Sequence, residues 1–199
     1  MFNQVRKLVV GVVQGAASAI GCRVGTEEPS YRAEPLAGGV ELRRYGPRLA
    51  AETTVTTGDR DAALHAGFRR LAGYIFGRNH GGGIGNRKIA MTAPVAQGGD
   101  AEQGWDVRFY LPSGMTMQTV PTPDDSRVRI VELPEQSVAV LRFSGDRGAD
   151  AVARHTAKLR EALRSSGLEE RGEPTAWFYD PPWTPPFLRR NEIAIPVDV

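Results

Sequence analysis

The side chains with chemistry to offer are few: three histidines, one cysteine, and 22 arginines against 3 lysines. An imidazole can move protons or ligate a metal, a thiolate can attack or bind metal, and a guanidinium fork matches a carboxylate. The sequence does not gather these groups. His65, His80 and His155 are scattered, and no nucleophile lies beside any of them. Cys22 stands alone, which removes an internal disulfide and any multi-thiolate metal site. Neither standard spacing of a glycine-rich phosphate loop occurs, and no Cys/His cluster has zinc spacing. A Gly-x-Ser-x-Gly elbow is absent, as is a two-cysteine-plus-His attachment motif. An enzyme has no residues to stand on here, so the expected role is binding without catalysis.

The bulk numbers narrow the class further. At 199 residues with a net charge of +2, the chain fits one domain with a short appended segment, residues 1–26 ahead of 27–199. Acids and bases are interspersed, so the basic footprint of a nucleic-acid binder is missing. The excess of arginine reads either as anion recognition or as base composition of the gene. No apolar run reaches the roughly 20 residues that span a bilayer.

Two readings fit residues 1–24. Val5, Leu8, Val9, Val12, Val13, Ala16, Ala19 and Ile20 recur at helical spacing, which makes an amphipathic helix able to lie on the domain or on a membrane surface. Arg6 and Lys7 ahead of an apolar stretch that ends Ala19-Ile20-Gly21-Cys22 also resemble a secretory or lipoprotein signal. The first reading implies a cytoplasmic protein, peripherally membrane-associated at most; the second implies export or a lipid anchor.

The elements that would position any site come in two similar halves. Residues 40–45 and 48–57 read as strands, Gly58-Asp59-Arg60 as a turn with an Asp placed to start a helix. Leu64, Phe68, Leu71 and Ile75 then mark one helix face, which stops near Gly77; residues 88–95 and 105–111 read as strands. The second half repeats this order. Strands at 128–133 and 137–143 precede Gly145-Asp146-Arg147, offset from the first turn by 145 − 58 = 87 residues. A helix carrying Val152, Leu159 and Leu163 stops near Gly167, and strands follow at 175–179 and 191–197. The fold class is therefore α+β: two βαββ units whose strands form a curved antiparallel sheet or open barrel, with two helices against it. Four glycines within 81–86 make a flexible loop, and residues 112–126 join the halves. The proline-rich run from Asp180 to Pro186 is stiff, either a proline-motif ligand or a rigid loop that packs Trp183 and Phe187 against the body.

Five stretches in order carry a family resemblance. They are Val40-Glu41-Leu42-Arg43-Arg44-Tyr45-Gly46-Pro47; residues 67–79, with Gly73-Tyr74-Ile75-Phe76-Gly77; Lys88-Ile89-Ala90-Met91-Thr92-Ala93-Pro94-Val95; Val107-Arg108-Phe109-Tyr110-Leu111-Pro112; and Tyr179-Asp180-Pro181-Pro182 with Arg189-Arg190-Asn191-Glu192. Over residues 28–197 the chain resembles the SOUL/heme-binding family, whose fold is a pseudo-twofold βαββ duplication forming a distorted antiparallel barrel with two helices. The resemblance implies reversible, non-covalent binding of heme or another porphyrin through an apolar surface beside the first helix, with basic residues near the propionates. Carried onto this sequence, that helix is 61–76, and one of its faces bears His65, Phe68, Arg69, Ala72 and Phe76. The aromatic rings suit stacking on a porphyrin, Ala72 permits close approach, and Arg69 can pair with a carboxylate. His65 is the candidate axial iron ligand. Arg44 stands where some family members carry a histidine proposed to bind heme, so no ligand transfers to that strand. The competing readings are an effector-binding module for another small apolar or cationic ligand, and a dechelating enzyme acting on tetrapyrroles. For residues 88–95 a purely structural reading has Met91 and Val95 filling the core, and for 189–192 it has an internal salt-bridge cluster.

Overall fold

A computed structural model describes residues 26–81 and 86–199. The N-terminal helix or signal reading, Cys22, and most of the glycine loop lie outside these residues. Eleven strands are present among the described residues: β1 (Tyr31–Pro35), β2 (Val40–Tyr45), β3 (Arg48–Val55), β4 (Asn79–His80), β5 (Val95–Asp100), β6 (Gly104–Tyr110), β7 (Thr122–Pro123), β8 (Arg129–Leu133), β9 (Gln136–Phe143), β10 (Thr175–Phe178) and β11 (Asn191–Val197). Helix α1 (Arg60–Ile75) follows β3, and α2 (Ala149–Ser166) follows β9.

Nine strands form one antiparallel sheet in the order β1-β2-β9-β11-β10-β5-β6-β3-β8, and β4 pairs with β7 apart from it. With β1 set aside, this order is palindromic. Exchanging β2 with β8, β3 with β9, β5 with β10 and β6 with β11 reverses it onto itself. The pseudo-twofold axis passes between β5 and β10. The duplication expected from the repeated turn is thus realised, with one refinement: each half lends a strand to the other. β2 pairs with β9, and β8 pairs with β3.

The same order forces the sheet to curl. β2 and β3 are joined by Gly46-Pro47 alone, yet six strand spacings separate them in the sheet. At about 4.8 Å per spacing a flat sheet would hold them nearly 30 Å apart, so the two ends must approach each other. Both helices lie outside this curl, α1 against β3 and β6, α2 against β9 and β11. Strand alternation then divides the side chains. Under α2 lie Leu141, Leu159, Leu163, Phe178, Ile193 and Ile195; under α1 lie Leu64, Leu71, Tyr74, Ile75, Val107 and Phe109. A third cluster faces the interior: Tyr45, Ala50, Tyr110, Val140, Trp177 and Tyr179.

Three expectations fail. Residues 88–94 are not a strand; only Thr92 bridges, to Glu27, and the strand starts at Val95 and runs on through Gly98-Gly99. Met91 does not fill the core but is half exposed. Trp183 and Phe187 do not pack on the body: they are 70% and 76% exposed, because the loop turns at Pro181–Thr184 and again over Pro186–Leu188, burying Thr184 and leaving both rings on its outer side. The salt-bridge reading of 189–192 holds, as the site below describes.

Candidate functional site

Helix α1 is placed by two devices. The Asp59 carboxylate accepts hydrogen bonds from the amides of Asp61 (3.0 Å) and Ala62 (3.1 Å), the N-cap expected from the turn. At Gly67 the helix lies so close to β6 that a Cβ would stand 2.6 Å from Val107 Cγ2. Leu64, Leu71 and Ile75 are buried by this approach. The opposite side of the helix carries the five predicted residues together. His65 and Arg69 are exposed and make no hydrogen bond or ion pair among the described residues, and Ala72 is half buried. Phe68 and Phe76 are 40% and 60% exposed, so Phe68 belongs to this outer face rather than to the buried stripe. The Phe68 ring leans edge-on against Phe109, centroid to centroid 5.2 Å. Arg70, by contrast, is tied down, donating to Thr53 Oγ1 at 2.6 Å and to the Thr54 carbonyl at 3.3 Å.

The other histidines are committed elsewhere. His80 Nδ1 lies 2.6 Å from Asp124 Oδ1, joining β4 to the segment that contains β7. His155 stacks on Phe143 with centroids 3.9 Å apart, and its Nδ1 is 2.7 Å from the Ala151 carbonyl. Asn79, fully buried, donates to the carbonyls of Tyr74 and Arg87 and accepts from the Arg87 amide, which fastens both flanks of the glycine loop.

Sequence reasoning missed the barrel interior, which holds charge as well as aromatic rings. Glu192, with no exposed surface, accepts two hydrogen bonds from Arg43 (2.7 and 3.0 Å), one from Arg190 Nε (2.8 Å) and one from the Tyr179 hydroxyl (2.7 Å). Arg190 also reaches Glu28 at 3.0 Å, and its guanidinium stacks 3.7 Å over Tyr179. Burial alone would raise the Glu192 carboxyl; the hydrogen bonds and charges of Arg43 and Arg190 outweigh it and hold the group below the ordinary glutamate range. Glu52 is held down in the same way, its burial outweighed by Arg108 and Arg129. The signal was present in the sequence as charged residues at inward positions of strands, Arg43 in β2, Glu52 in β3 and Glu192 in β11. Alternation alone does not tell a polar interior from solvent.

Arg48, the first residue of β3, completes the interior. Its guanidinium lies 4.1 Å from the Tyr45 ring centroid and 5.3 Å from that of Tyr110. Beside it opens a cleft of about 560 Å³ whose walls include Arg48, Tyr110, Leu49, Leu111, Met115 and Leu133. No cluster of three or more His, Cys, Asp or Glu side chains suited to a metal ion occurs among the described residues. No helix among them is long and apolar enough to cross a membrane.

Solved structures share this architecture at low identity. A hydrolase from Listeria innocua superposes with a TM-score of 0.58 and 12% identity, covering 82% of this chain and 94% of that one. The EcmrR C-terminal domain superposes with a TM-score of 0.56 and 14% identity, covering 84% and 98%. These establish the fold alone. Sequence relatives are more informative. Heme-binding protein 2 of Homo sapiens is 32% identical over 167 residues, 78% of this chain and 79% of its own. Heme-binding protein 1 of Sus scrofa is 32% identical over 140 residues, 67% and 70% of the two chains. A family model described as SOUL heme-binding protein matches residues 26–196, which is the whole of the palindromic sheet and both helices bar the last residue of β11. The duplicated barrel and the sequence match therefore agree, and the chain belongs to the SOUL heme-binding protein family.

Proposed function

We propose that the protein binds heme or a related tetrapyrrole reversibly on the outer face of α1, as a carrier or buffer. One observation carries the reading: a helix that buries its inner stripe leaves two phenylalanines, Phe68 and Phe76, on its outer face beside Arg69, which has no ion-pair partner among the described residues. Full burial of a Phe side chain stabilises by about 1.5–3 kcal/mol, so the two rings hold unused binding energy. His65 and Phe76 stand 11 residues apart, about 16 Å along the helix axis, with Arg69 and Ala72 between them. The residues fit the group. Phe68 and Phe76 would pack on the macrocycle, Ala72 would allow its approach, and Arg69 would pair with a propionate. Were heme bound here, it would supply an iron able to take a nitrogen ligand, and His65 is the residue on this face whose neutral imidazole could provide one.

The family match and the heme-binding names of its relatives support this reading. For the cationic-ligand alternative, the described acids of the barrel interior, Glu52 and Glu192, are each already paired with two arginines, which leaves it only Glu27 and Glu132 at the cleft rim. The test is a heme titration followed by visible absorption. A saturable, sharpened Soret band is expected, weakened in Phe68→Ser/Phe76→Ser and altered in position by His65→Ala. An absorbance that holds steady with time separates carriage from iron removal. No saturable band at micromolar heme would overturn the proposal; a band unchanged by His65→Ala would remove that residue as ligand.

A further inference from the structure

We propose that the cleft beside the barrel interior binds an apolar molecule bearing a single carboxylate, with the Arg48 guanidinium as its anchor. All three nitrogens of this guanidinium are buried and have no hydrogen-bond partner among the described residues. A guanidinium keeps its charge at any physiological pH and carries five N–H donors. A buried, uncompensated charge is among the costliest features a fold can retain. The rings of Tyr45 and Tyr110 offset part of that cost through the cation's flat faces. They leave the edge of the fork, where the N–H groups point, without an acceptor. Trp177, in the same aromatic cluster, adds a second buried donor lacking an acceptor at its indole nitrogen.

The protein's own carboxylates do not answer this need. Glu28 is engaged with Arg190, Glu192 with Arg43 and Arg190, and Glu52 with Arg108 and Arg129. Glu27, in the cleft wall, accepts the Ser113 amide at 2.7 Å. Glu132 also lines the cleft, but it sits opposite Leu49 in the β3–β8 pairing, whereas Arg48 sits opposite Leu133. Residues directly opposite share a face, so Glu132 and Arg48 leave opposite faces of the sheet. Among the described residues no carboxylate is placed to meet the fork, and in the proposed site the acceptor belongs to a bound molecule.

The chemistry of that acceptor follows from the surroundings. Pro29, Arg48 and Tyr110 line both the 560 Å³ cleft and the closed space around the fork, so the two adjoin, and a carboxylate in the cleft meets the fork once the Arg48 side chain turns toward it. The volume falls in the range of small-molecule sites, and Leu49, Leu111, Met115 and Leu133 make much of its wall apolar. A planar carboxylate matches the fork with two parallel hydrogen bonds. A dianionic phosphate does not suit, because Glu27 and Glu132 border the space and the nearby Arg108 is committed to Glu52. Because folding has already stripped water from the guanidinium, binding regains the interaction without a second desolvation of that group. The site does not depend on the tetrapyrrole reading of α1.

The experiment compares 1-pyrenebutyrate with 1-pyrenebutanol, which differ at the carboxylate alone, by titration of the full chain with fluorescence and calorimetric readouts. The acid is expected to bind saturably at one per chain, and the alcohol at least about tenfold more weakly, as for loss of a charge-assisted hydrogen bond. Arg48→Met is expected to bind acid and alcohol alike and to melt no lower than wild type, since it removes an unpaired charge. Phe68→Ser/Phe76→Ser is expected to keep the preference for the acid, which separates this cleft from the α1 face. Should Arg48→Met fail to fold, the wild-type melting temperature, raised by the acid and not by the alcohol, decides the matter. Equal binding of acid and alcohol, no saturable binding of either, or a preference that survives Arg48→Met overturns the proposal.

Discussion

Replacing Glu192 with Gln keeps shape and removes charge at the most heavily bonded point of the interior. The amide would present an NH2 where Arg43, Arg190 and Tyr179 all donate. Removing one member of a buried ion pair costs about 3–5 kcal/mol. Arg43 retains Glu41 at 2.7 Å and Arg190 retains Glu28 at 3.0 Å, both partners more exposed than Glu192. That places the expected loss near the lower end, about 3 kcal/mol. For a domain of this size the melting temperature should fall by roughly 6–12 °C, at about 2–4 °C per kcal/mol. The pH dependence carries the sharper signature. The folded carboxyl of Glu192 lies below its unfolded value. Its contribution is therefore full above the unfolded pKa of about 4.3 and is lost as pH falls through the folded pKa. The gap between wild type and Glu192→Gln should be widest near neutrality and should narrow below about pH 4. Denaturant unfolding of both proteins from pH 7 down to pH 3 measures it. A loss under about 1 kcal/mol at pH 7, or a gap that does not change with pH, would show that Glu192 is not the charge that holds Arg43 and Arg190 in place.

Three further outcomes can be measured with the same assays or simpler ones. Gly67→Ala should destabilise by about 1–2 kcal/mol, because the clash with Val107 at 2.6 Å outweighs the roughly 1 kcal/mol gained in helix propensity; a stabilised variant would mean that α1 lifts off β6 at little cost. Asp59→Ala should lose about 1 kcal/mol with its two capping bonds, whereas Asp61→Ala, one residue on, should lose less. Of the three tryptophans, Trp183 is 70% exposed and Trp177 is buried, so Trp183→Phe should remove most of the fluorescence that acrylamide quenches. Undiminished quenching in that variant would place the Trp183 ring against the body after all.

Much of the fold was legible because local signals and tertiary demands coincide. β2 and β11 start and stop where alternation and turn residues put them, and the second Gly-Asp-Arg turn marks the duplication. Gly167 ends α2 in the left-handed conformation that glycine adopts without strain. β1 was not legible: all five of its residues are exposed, so it leaves no apolar pattern, and it exists only by pairing with β2. The stretch 88–94 misled for the opposite reason. Its apolar residues read as a strand, but Ile89 fills the core beneath α1 from a loop, its amide bonded to the Ile75 carbonyl. On α1 the family resemblance pointed to the helix, and helical spacing then put His65, Phe68, Arg69, Ala72 and Phe76 on one of its faces. Arg48 was beyond reach, because its burial arises from Tyr45 and Tyr110 on strands that the curl brings together. No window of sequence contains that meeting.

The lending of strands between the halves governs how the chain can be made. β2 emerges early but has no neighbour on its inner side until β9, some 90 residues later, and β11 then inserts between β9 and β10. Until residues 191–197 leave the ribosome, the sheet exists as two unjoined pieces with open, apolar edges, the kind of edge that recruits other chains. Neither half has its full set of strands until the other supplies one. A truncation that removes β11 would therefore not trim an end; it would cut the molecule along its middle.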